Sequence, residues 1–286
     1  MYVPAVSELL DKRLVIVTGK GGVGKSTVAL ALGLAAAAEG RRTIVCEVSS
    51  QEHTSHVFHR ARVGFHEVEM ADNLWAMFRS RIFSYLTAAT PGLRELVTIG
   101  KMWEVAQPDR KVKKGRKYDL VIVDAPATGA GVGFLQTPRT FANIARVGPI
   151  KAQAEALEAF IVNHRKTGAA IVALPEEMPV NETVALERQL TEEVDVAVDR
   201  VYMNALYPER FSKPDVERLE SACGKTNGPL RAAYRAALSE SRRAAAQREQ
   251  LARLAELVRA PVRTLPFVFV PQLGVEEIRE LAKGMH

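Results

Sequence analysis

The stretch that decides the fold reads Leu14-Val-Ile-Val-Thr18 and continues directly as Gly19-Lys-Gly-Gly-Val-Gly-Lys-Ser-Thr27. Its first part is continuously apolar, which predicts a strand that is buried on both faces of a sheet. Its second part is rich in glycine, and the alanine-rich residues that follow predict a helix that stops at Gly40. Glycines let a loop turn its backbone N–H groups inward around a polyphosphate, and the N-terminus of the next helix adds a favourable dipole. The stretch therefore predicts a phosphate-binding loop between a strand and a helix.

The polar residues at the end of this loop indicate which phosphate compound is bound. Lys25 can reach the β- and γ-phosphates of a nucleoside triphosphate, and the Ser26 hydroxyl can ligate Mg²⁺. The residues expected to surround the phosphates are Gly21, Gly22, Val23, Gly24, Lys25, Ser26 and Thr27. We therefore expect the chain to bind ATP with Mg²⁺ and to hydrolyse it.

The rest of the sequence predicts an α/β fold around this loop. Short apolar runs alternate with helical patterns, which is typical of a doubly wound, mainly parallel sheet with helices on both faces. Later strands are predicted at Thr43–Val48, Leu120–Asp124, Ala169–Leu174, Arg200–Asn204 and Arg263–Val268. Helices are predicted at Ile150–Asn163, Asn181–Glu193, Pro229–Val258 and Val275–Lys283, with a shorter helical region around Ala71–Ile99. We expect residues 1–286 to form one domain with helical elaborations near residues 58–115 and 208–259.

Composition and charge limit the classes of function. The 286 residues are 47% hydrophobic and 25% charged, which is typical of globular proteins, and the formal net charge is +6. The one dense basic run, residues 111–117, holds no aromatic residue that could stack on a base, so we expect a solvated loop and no nucleic acid partner. The two cysteines, Cys46 and Cys223, exclude a disulfide framework. The first residues lack the pattern of a signal peptide, and we expect a cytoplasmic protein.

A second acidic element follows the strand predicted at residues 120–124 and reads Asp124-Ala-Pro-Ala-Thr-Gly129. An aspartate at the carboxyl end of a parallel strand beside a phosphate-binding loop is placed to hold the Mg²⁺ shell. We therefore predict Ser26 and Asp124 as the metal-binding residues. Gly129 could then offer a backbone N–H to the γ-phosphate.

Lys20, the second lysine of the loop, carries a resemblance to a known family. A lysine at this position resembles that of the deviant-Walker-A ATPases, the P-loop NTPase group that contains the MinD and ParA proteins, nitrogenase iron protein and the arsenite-pump ATPases. The stretch from Asp124 to Pro138, with Phe-Leu-Gln-Thr-Pro at its end, looks like the second switch of the arsenite-pump and tail-anchored-protein-targeting ATPases. The chain resembles in particular their bacterial "anion-transporting ATPase" relatives, which are single ATPase halves. This resemblance implies that Lys20 crosses a dimer interface to the phosphates bound by the other chain.

The resemblance continues towards the C-terminus and covers nearly the whole chain. Asn204, which closes a predicted strand, matches the asparagine that reads adenine in these ATPases. Pro266 and Phe267 lie within Leu265-Pro-Phe-Val-Phe-Val-Pro271, which matches the final strand and the adenine-side loop of the family. The resemblance thus implies that Asn204, Pro266 and Phe267 contact the adenine.

One departure from the family concerns the residue that orients the attacking water. The family usually has Thr-Asp-Pro-Ala-His after the second strand, whereas this chain has Glu47-Val-Ser-Ser-Gln51. Either Glu47 or Glu52 replaces the missing aspartate, or hydrolysis is slow. The candidate catalytic residues are Lys20, Lys25, Asp124 and Glu47.

The resemblance implies a nucleotide-driven dimeric switch that handles a protein client or a membrane component. The dimer would be a homodimer or a heterodimer with a paralogous ATPase. The chain has neither the cysteine cluster of the arsenite pumps nor, in residues 208–259, the methionines of a tail-anchor groove. Two alternatives stay open: a catalytically weak paralogue that uses ATP structurally inside a hetero-oligomer, and a MinD- or ParA-like positioning ATPase.

Overall fold

Eight strands form one sheet around the phosphate-binding loop. The computed structural model describes residues 9–48, 54, 57–58, 66–78, 92–110, 116–145 and 147–285. Within these residues the strands are β1 (Leu14–Gly19), β2 (Thr43–Glu47), β3 (Val68–Ala71), β4 (Leu74–Phe78), β5 (Leu120–Asp124), β6 (Thr167–Ala173), β7 (Val198–Leu206) and β8 (Val262–Pro266). They lie in the order β3-β4-β2-β5-β1-β6-β7-β8, and every neighbouring pair is parallel except β3 and β4. The predicted α/β fold with a mainly parallel sheet is confirmed.

The helices cover both faces of this sheet. In the described residues they are α1 (Lys25–Ala38), α2 (Leu93–Ala106), α3 (Thr128–Ile144), α4 (Pro149–Ile161), α5 (Glu177–Gln189, continued by a π-helical turn at Leu190–Val194), α6 (Lys213–Lys225), α7 (Gly228–Leu257) and α8 (Val275–Lys283). Helices α1 and α8 pack on one face, and α2 to α5 pack on the other. The predicted helix at Val275–Lys283 has the observed bounds, and those predicted for α4, α5 and α7 differ from the observed ones by a few residues.

The central strand β1 contributes to both core layers. Leu14 and Ile16 belong to the layer under α2 to α5, while Val15 and Val17 belong to the layer under α1. All four side chains are at most 5% exposed. Because both faces are covered, the first four positions of the strand are all apolar, which explains the continuous hydrophobic run in the sequence.

The helical region predicted around Ala71–Ile99 is wrong in its first part. Strands β3 and β4 form an antiparallel hairpin there, and Asn73 in the turn has a φ of 59°. Leu74 and Trp75 are buried in opposite core layers because β4 pairs with the outer edge of β2. Pairing with an open sheet edge satisfies a whole row of backbone groups, which outweighs a local helical pattern. The later part is helical as predicted, since α2 begins at Leu93.

Two helices were not predicted from the sequence. Helix α3 contains Pro138 and three glycines, which are residues that disfavour a helix interior. Helix α6 has no buried residue, and the few apolar side chains on its one face, such as Val216 and Leu219, are only half-buried, so the hydrophobic pattern of this segment is weak. The basic run at residues 111–117 lies mostly outside the described residues, because the description stops at residue 110 and resumes at 116.

The carboxyl ends of the parallel strands bring the chemistry-bearing residues to one edge of the sheet. Strand β1 lies between β5 and β6, and the order of connections reverses at this point. Open α/β sheets bind ligands outside the carboxyl ends of their strands at such a reversal. Gly19 ends β1 with a φ of 145°, and a Cβ atom there would meet the carbonyl oxygen of Val172 at 2.3 Å. The loop can therefore leave the sheet at this place only from a glycine.

We expect Gly19→Ala to destabilise the fold by more than about 2 kcal/mol, because the new methyl group meets backbone atoms and the positive φ is strained. Gly21→Ala is the matched control in the same loop, since a Cβ atom at Gly21 meets nothing within 4 Å. Its effect should stay within about 0.5 kcal/mol. Urea denaturation of both variants measures the difference, and equal losses of stability would contradict this account of the β1–β6 contact.

Candidate functional site

The phosphate-binding loop keeps an open cradle because its glycines adopt left-handed backbone angles. Gly22 and Gly24 have φ values of 81° and 93°, and α1 begins directly after Gly24. A Cβ atom on Gly24 would stand 2.3 Å from the side-chain nitrogen of Asn204. The first N–H groups of α1 have no intrahelical acceptor, so they are available to an anion at the helix N-terminus.

Lys25 is folded across the loop that it terminates. Its Nζ donates to the backbone carbonyl of Lys20 at 2.8 Å. Burial lowers the pKa of the Lys25 ammonium, and the carboxylate of Asp124 partly offsets this effect. A cation that is partly removed from water interacts more strongly with an entering phosphate than an exposed one does.

Ser26 and Asp124, the two residues predicted to bind the metal ion, are in direct contact. The Ser26 hydroxyl donates to Oδ2 of Asp124 at 2.5 Å, and Asp124 is only 2% exposed. Burial raises the pKa of Asp124, while the hydrogen bond from Ser26 and the charge of Lys25 lower it. A hydroxyl and a carboxylate form an oxygen donor set that suits Mg²⁺ together with phosphate oxygens. The residues present therefore fit a magnesium ion, and their assignment as its ligands stays a prediction.

Glu47 lies beside Asp124 at the same edge of the sheet. The two residues are register partners in β2 and β5, and Glu47 is 3% exposed. Its Oε1 accepts hydrogen bonds from the backbone N–H of Thr54, at 2.7 Å, and from the Thr54 hydroxyl. The carboxylate of Glu47 thus holds the backbone and the hydroxyl of Thr54 in place after β2. The role of Glu47 in orienting water remains a prediction. Glu52, the other candidate for this role, lies outside the described residues.

The residues predicted to contact adenine come together at the ends of β7 and β8. Asn204 donates from Nδ2 to the backbone carbonyl of Val23 at 2.9 Å, so one of its N–H groups is committed to the phosphate-binding loop. Its Oδ1 can accept a hydrogen bond from an adenine edge, and its second N–H can donate one. Pro266 pairs with Leu206, and the backbone N–H of Phe267 donates to the Leu206 carbonyl at 2.9 Å.

Gly129 lies in the exposed first turn of α3, directly beyond the Asp124 strand. Its backbone N–H belongs to the helix terminus and has no intrahelical acceptor. The next turn is held close to the sheet, because a Cβ atom on Gly131 would meet the carbonyl oxygen of Pro126 at 2.8 Å and Oγ1 of Thr18 at 3.1 Å. The start of α3 is therefore fixed next to the end of β1, as a γ-phosphate contact by Gly129 requires.

Lys20 contacts helix α5 of its own chain. Its Nζ lies 2.7 Å from Oε1 of Glu182 and 2.8 Å from Sδ of Met178. The side chains of Lys20 and Glu182 are 30% and 36% exposed, and an ion pair with such exposure contributes only about 0–1 kcal/mol. The sequence did not indicate Glu182 as a site residue. The contact joins residues that are far apart in sequence, so no local pattern could have revealed it.

A glycine loop at the reversal point of a parallel sheet, with Lys25, Ser26 and Asp124 around it, defines a P-loop nucleotide-binding protein. The sequence of residues 14–271 matches the CobQ/CobB/MinD/ParA nucleotide binding domain. The chain belongs to this family.

Several proteins that are similar to this chain are named as ATPases. ATPase BagA of Mycobacterium tuberculosis is 30% identical over 243 residues, which cover 74% of this chain and 70% of that protein. A putative arsenical pump-driving ATPase of Halobacterium salinarum is 22% identical over 305 residues, covering 94% of this chain and 44% of the relative. A second putative arsenical pump-driving ATPase, from Aquifex aeolicus, is 25% identical over 153 residues, covering 44% of this chain and 49% of the relative. These relatives support the assignment of the chain as a nucleotide-binding protein of the ATPase class. The chain is also similar to arsenical pump-driving ATPases.

The described residues contain neither a membrane-spanning helix nor a cluster of metal ligands. None of the helices within the described ranges combines the length and the apolar character that a membrane crossing requires. The same part of the chain holds no group of three or more His, Cys, Asp or Glu side chains arranged to bind a metal ion.

We expect Lys25→Ala to weaken ATP binding by about tenfold to 150-fold, because a charge-assisted contact to phosphate contributes about 1.5–3 kcal/mol. Titration calorimetry with ATP and Mg²⁺ measures the affinity. Lys151→Ala is the control, since this lysine forms only an exposed ion pair with Glu155 on α4. An unchanged ATP affinity in Lys25→Ala would contradict the assignment of the phosphate-binding loop.

Proposed function

We propose that the chain is a Mg²⁺-dependent ATPase that works as a nucleotide-driven dimeric switch. The observation that carries this proposal is the contact of Ser26 with Asp124, with Lys25 at the same place on the loop. A hydroxyl, a buried carboxylate and a partly buried ammonium group together match the needs of a magnesium triphosphate. Asn204 adds a donor and an acceptor for the base, which favours adenine.

Hydrolysis would be an in-line attack of water on the γ-phosphate, for which the protein supplies position and charge. Lys25 leaves the carbonyl of Lys20 and binds the β- and γ-phosphates, while the N–H groups of the loop and of Gly129 bind phosphate oxygens. Asp124 and Ser26 would hold a magnesium ion through their oxygen atoms, and this ion would offset the negative charge that develops on the phosphate oxygens. The water would be oriented from the end of β2, where Glu47 lies.

The proposal of a dimer depends on Lys20. Two chains that face each other across their nucleotides would bury phosphate charge that needs compensation from both sides. The pair between Lys20 and Glu182 is exposed enough to break at small cost, so Lys20 can exchange Glu182 for a phosphate of the other chain. The other chain would be a second copy or a paralogous ATPase.

The client of the switch would be a protein or a membrane component. Two relatives are named as driving an arsenical pump, and thiolates are the ligands that soft metals and metalloids prefer. Cys46 is 1% exposed, and burial raises its pKa to about 12, so it is a poor thiolate. With Cys223 as the only other cysteine of the sequence, the chain has no cluster of thiols for a metalloid, so we do not propose a metalloid as the client.

One observation favours a rival function, in which ATP acts structurally inside a hetero-oligomer. Glu47 is engaged with Thr54, and the family aspartate that orients water has no counterpart after β2. A MinD- or ParA-like positioning ATPase is also compatible with the family. The acidic residues Glu276, Glu277 and Glu280 of α8 argue against binding of that helix to anionic lipids.

We expect ATP to tighten a dimer of the wild-type chain and Lys20→Ala to lose this response together with most hydrolysis. Binding of ATP to the single chain should stay nearly unchanged, because Lys20 acts on the phosphates of the other chain. Sedimentation velocity with a non-hydrolysable ATP analogue and with ADP measures both effects. Glu182→Gln is the control, since it removes the ion pair on α5 and leaves Lys20 in place. The same nucleotide response in wild type and Lys20→Ala would contradict the dimer proposal.

We expect Glu47→Gln to lower turnover by roughly 10²-fold, which is typical for the loss of a proton-accepting or water-orienting carboxylate. ATP affinity should not change, because glutamine can still accept the hydrogen bonds from Thr54. A phosphate-release assay and calorimetry with Mg²⁺-ATP measure the two quantities, with Glu158→Gln on α4 as a distant control. An unchanged rate would favour the rival in which ATP is structural.

A further inference from the structure

Tyr207, the first residue after β7, is held by helix α7 at three of its polar groups. Its backbone N–H donates to Oε1 of Gln247 at 2.7 Å, and its carbonyl oxygen accepts from Nη2 of Arg248 at 3.0 Å. Its hydroxyl oxygen accepts from Nη1 of Arg243 at 3.1 Å. A single helix therefore fixes the backbone and the ring of one residue.

The ring of Tyr207 in turn fixes the loop after β8. It stacks on Phe267 with 4.8 Å between ring centroids and 29° between ring planes. Phe269 packs edge-on against both rings, with centroids 5.5 Å from Tyr207 and 4.8 Å from Phe267. The guanidinium carbon of Arg210 lies 4.8 Å from the Phe269 centroid. Three mutually packed rings leave the Phe267 side chain little freedom.

Phe267 is one of the residues expected to contact the base, and Tyr207 lies three positions after Asn204. Asn204 is hydrogen-bonded to the phosphate-binding loop and the Phe267 N–H is hydrogen-bonded to Leu206, so Tyr207 and Phe267 lie next to the end of β7 that carries Asn204. A cavity of about 630 Å³ opens beside them, and Tyr207, Phe267 and Gln247 are among its lining residues. Its volume lies within the range of small-molecule sites, ~300–1,000 Å³.

We propose that Tyr207 is a positioning residue for nucleobase recognition, which it performs by holding the ring of Phe267 while helix α7 holds Tyr207. The inference rests on the proposed binding of ATP and adds a residue that no loop motif indicates. The contacts described for Tyr207 are with helix α7 and with the rings of Phe267 and Phe269, and none of them involves the phosphate-binding loop, so we expect Tyr207 to affect only ligands that carry a base.

The test compares ATP with inorganic tripolyphosphate, each with Mg²⁺, as ligands of the full chain in calorimetry. Tyr207→Ala should weaken ATP binding roughly three- to tenfold, the size expected for loss of an aromatic pair, and leave tripolyphosphate binding unchanged. Tyr207→Phe keeps the stack and should bind ATP within about twofold of wild type. Tyr234→Ala, at a tyrosine of α7 that is half-exposed as Tyr207 is, is the matched control and should bind both ligands like wild type.

A second variant guards against misfolding of Tyr207→Ala. Phe267→Leu removes the other ring of the stack, and it should show the same split between ATP and tripolyphosphate. ATP affinity equal to wild type in both variants would overturn the inference, and so would an equal loss for the two ligands, which indicates a general structural role. Wild-type protein that binds neither ligand would overturn the proposed function and the inference together.

Discussion

At both ends of the phosphate-binding loop, atoms of neighbouring strands occupy the space in which a Cβ atom would stand. The carbonyl of Val172 fills this space at Gly19, and the amide of Asn204 fills it at Gly24. The loop is therefore clamped between β1, β6 and β7, and α1 starts at one fixed place. Every other part of the site is placed relative to this clamp, because Lys25 and Ser26 are the first residues of α1.

The electrostatics of the site follow from that placement. Burial shifts the pKa of Lys25 downward and that of Asp124 upward, so each group is less favourable in its charged form than it would be in water. Each offsets part of the cost for the other, and a bound ion with its phosphates would offset more. A site that holds charges in this way is arranged for a charged ligand, and this is the physical basis for expecting tight binding of a metal–triphosphate complex.

The sequence predicted the parts of the structure that local pattern determines. The strand–loop–helix unit, the Asp124 strand and the long helix α7 could be recognised because glycine geometry, continuous apolarity and helix propensity act over a few neighbouring residues. The β3–β4 hairpin could not, because Leu74 and Trp75 become buried only when β4 adds to β2. The contacts of Lys20 with Glu182 and of Tyr207 with α7 also could not be predicted, since each joins residues that are distant in sequence and depends on tertiary packing. Glu47 was identified from its position at the carboxyl end of β2, whereas its contact with Thr54 is seen only in the folded structure.

The hydrogen bonds between α7 and Tyr207 attach this long helix to the end of β7. The rest of the helix extends away from this attachment point. Helix α7 has 30 residues, which corresponds to a length of ~45 Å. The stretch from Gln247 back to the start of the helix at Gly228 measures ~28 Å, and a rotation of about 10° at the Tyr207 contact would displace that end by ~5 Å. Helix α6, which packs against α7 and buries none of its own residues, would travel with it. A small rotation at the Tyr207 contact would thus change the direction in which the α6–α7 hairpin points, far from the phosphate-binding loop.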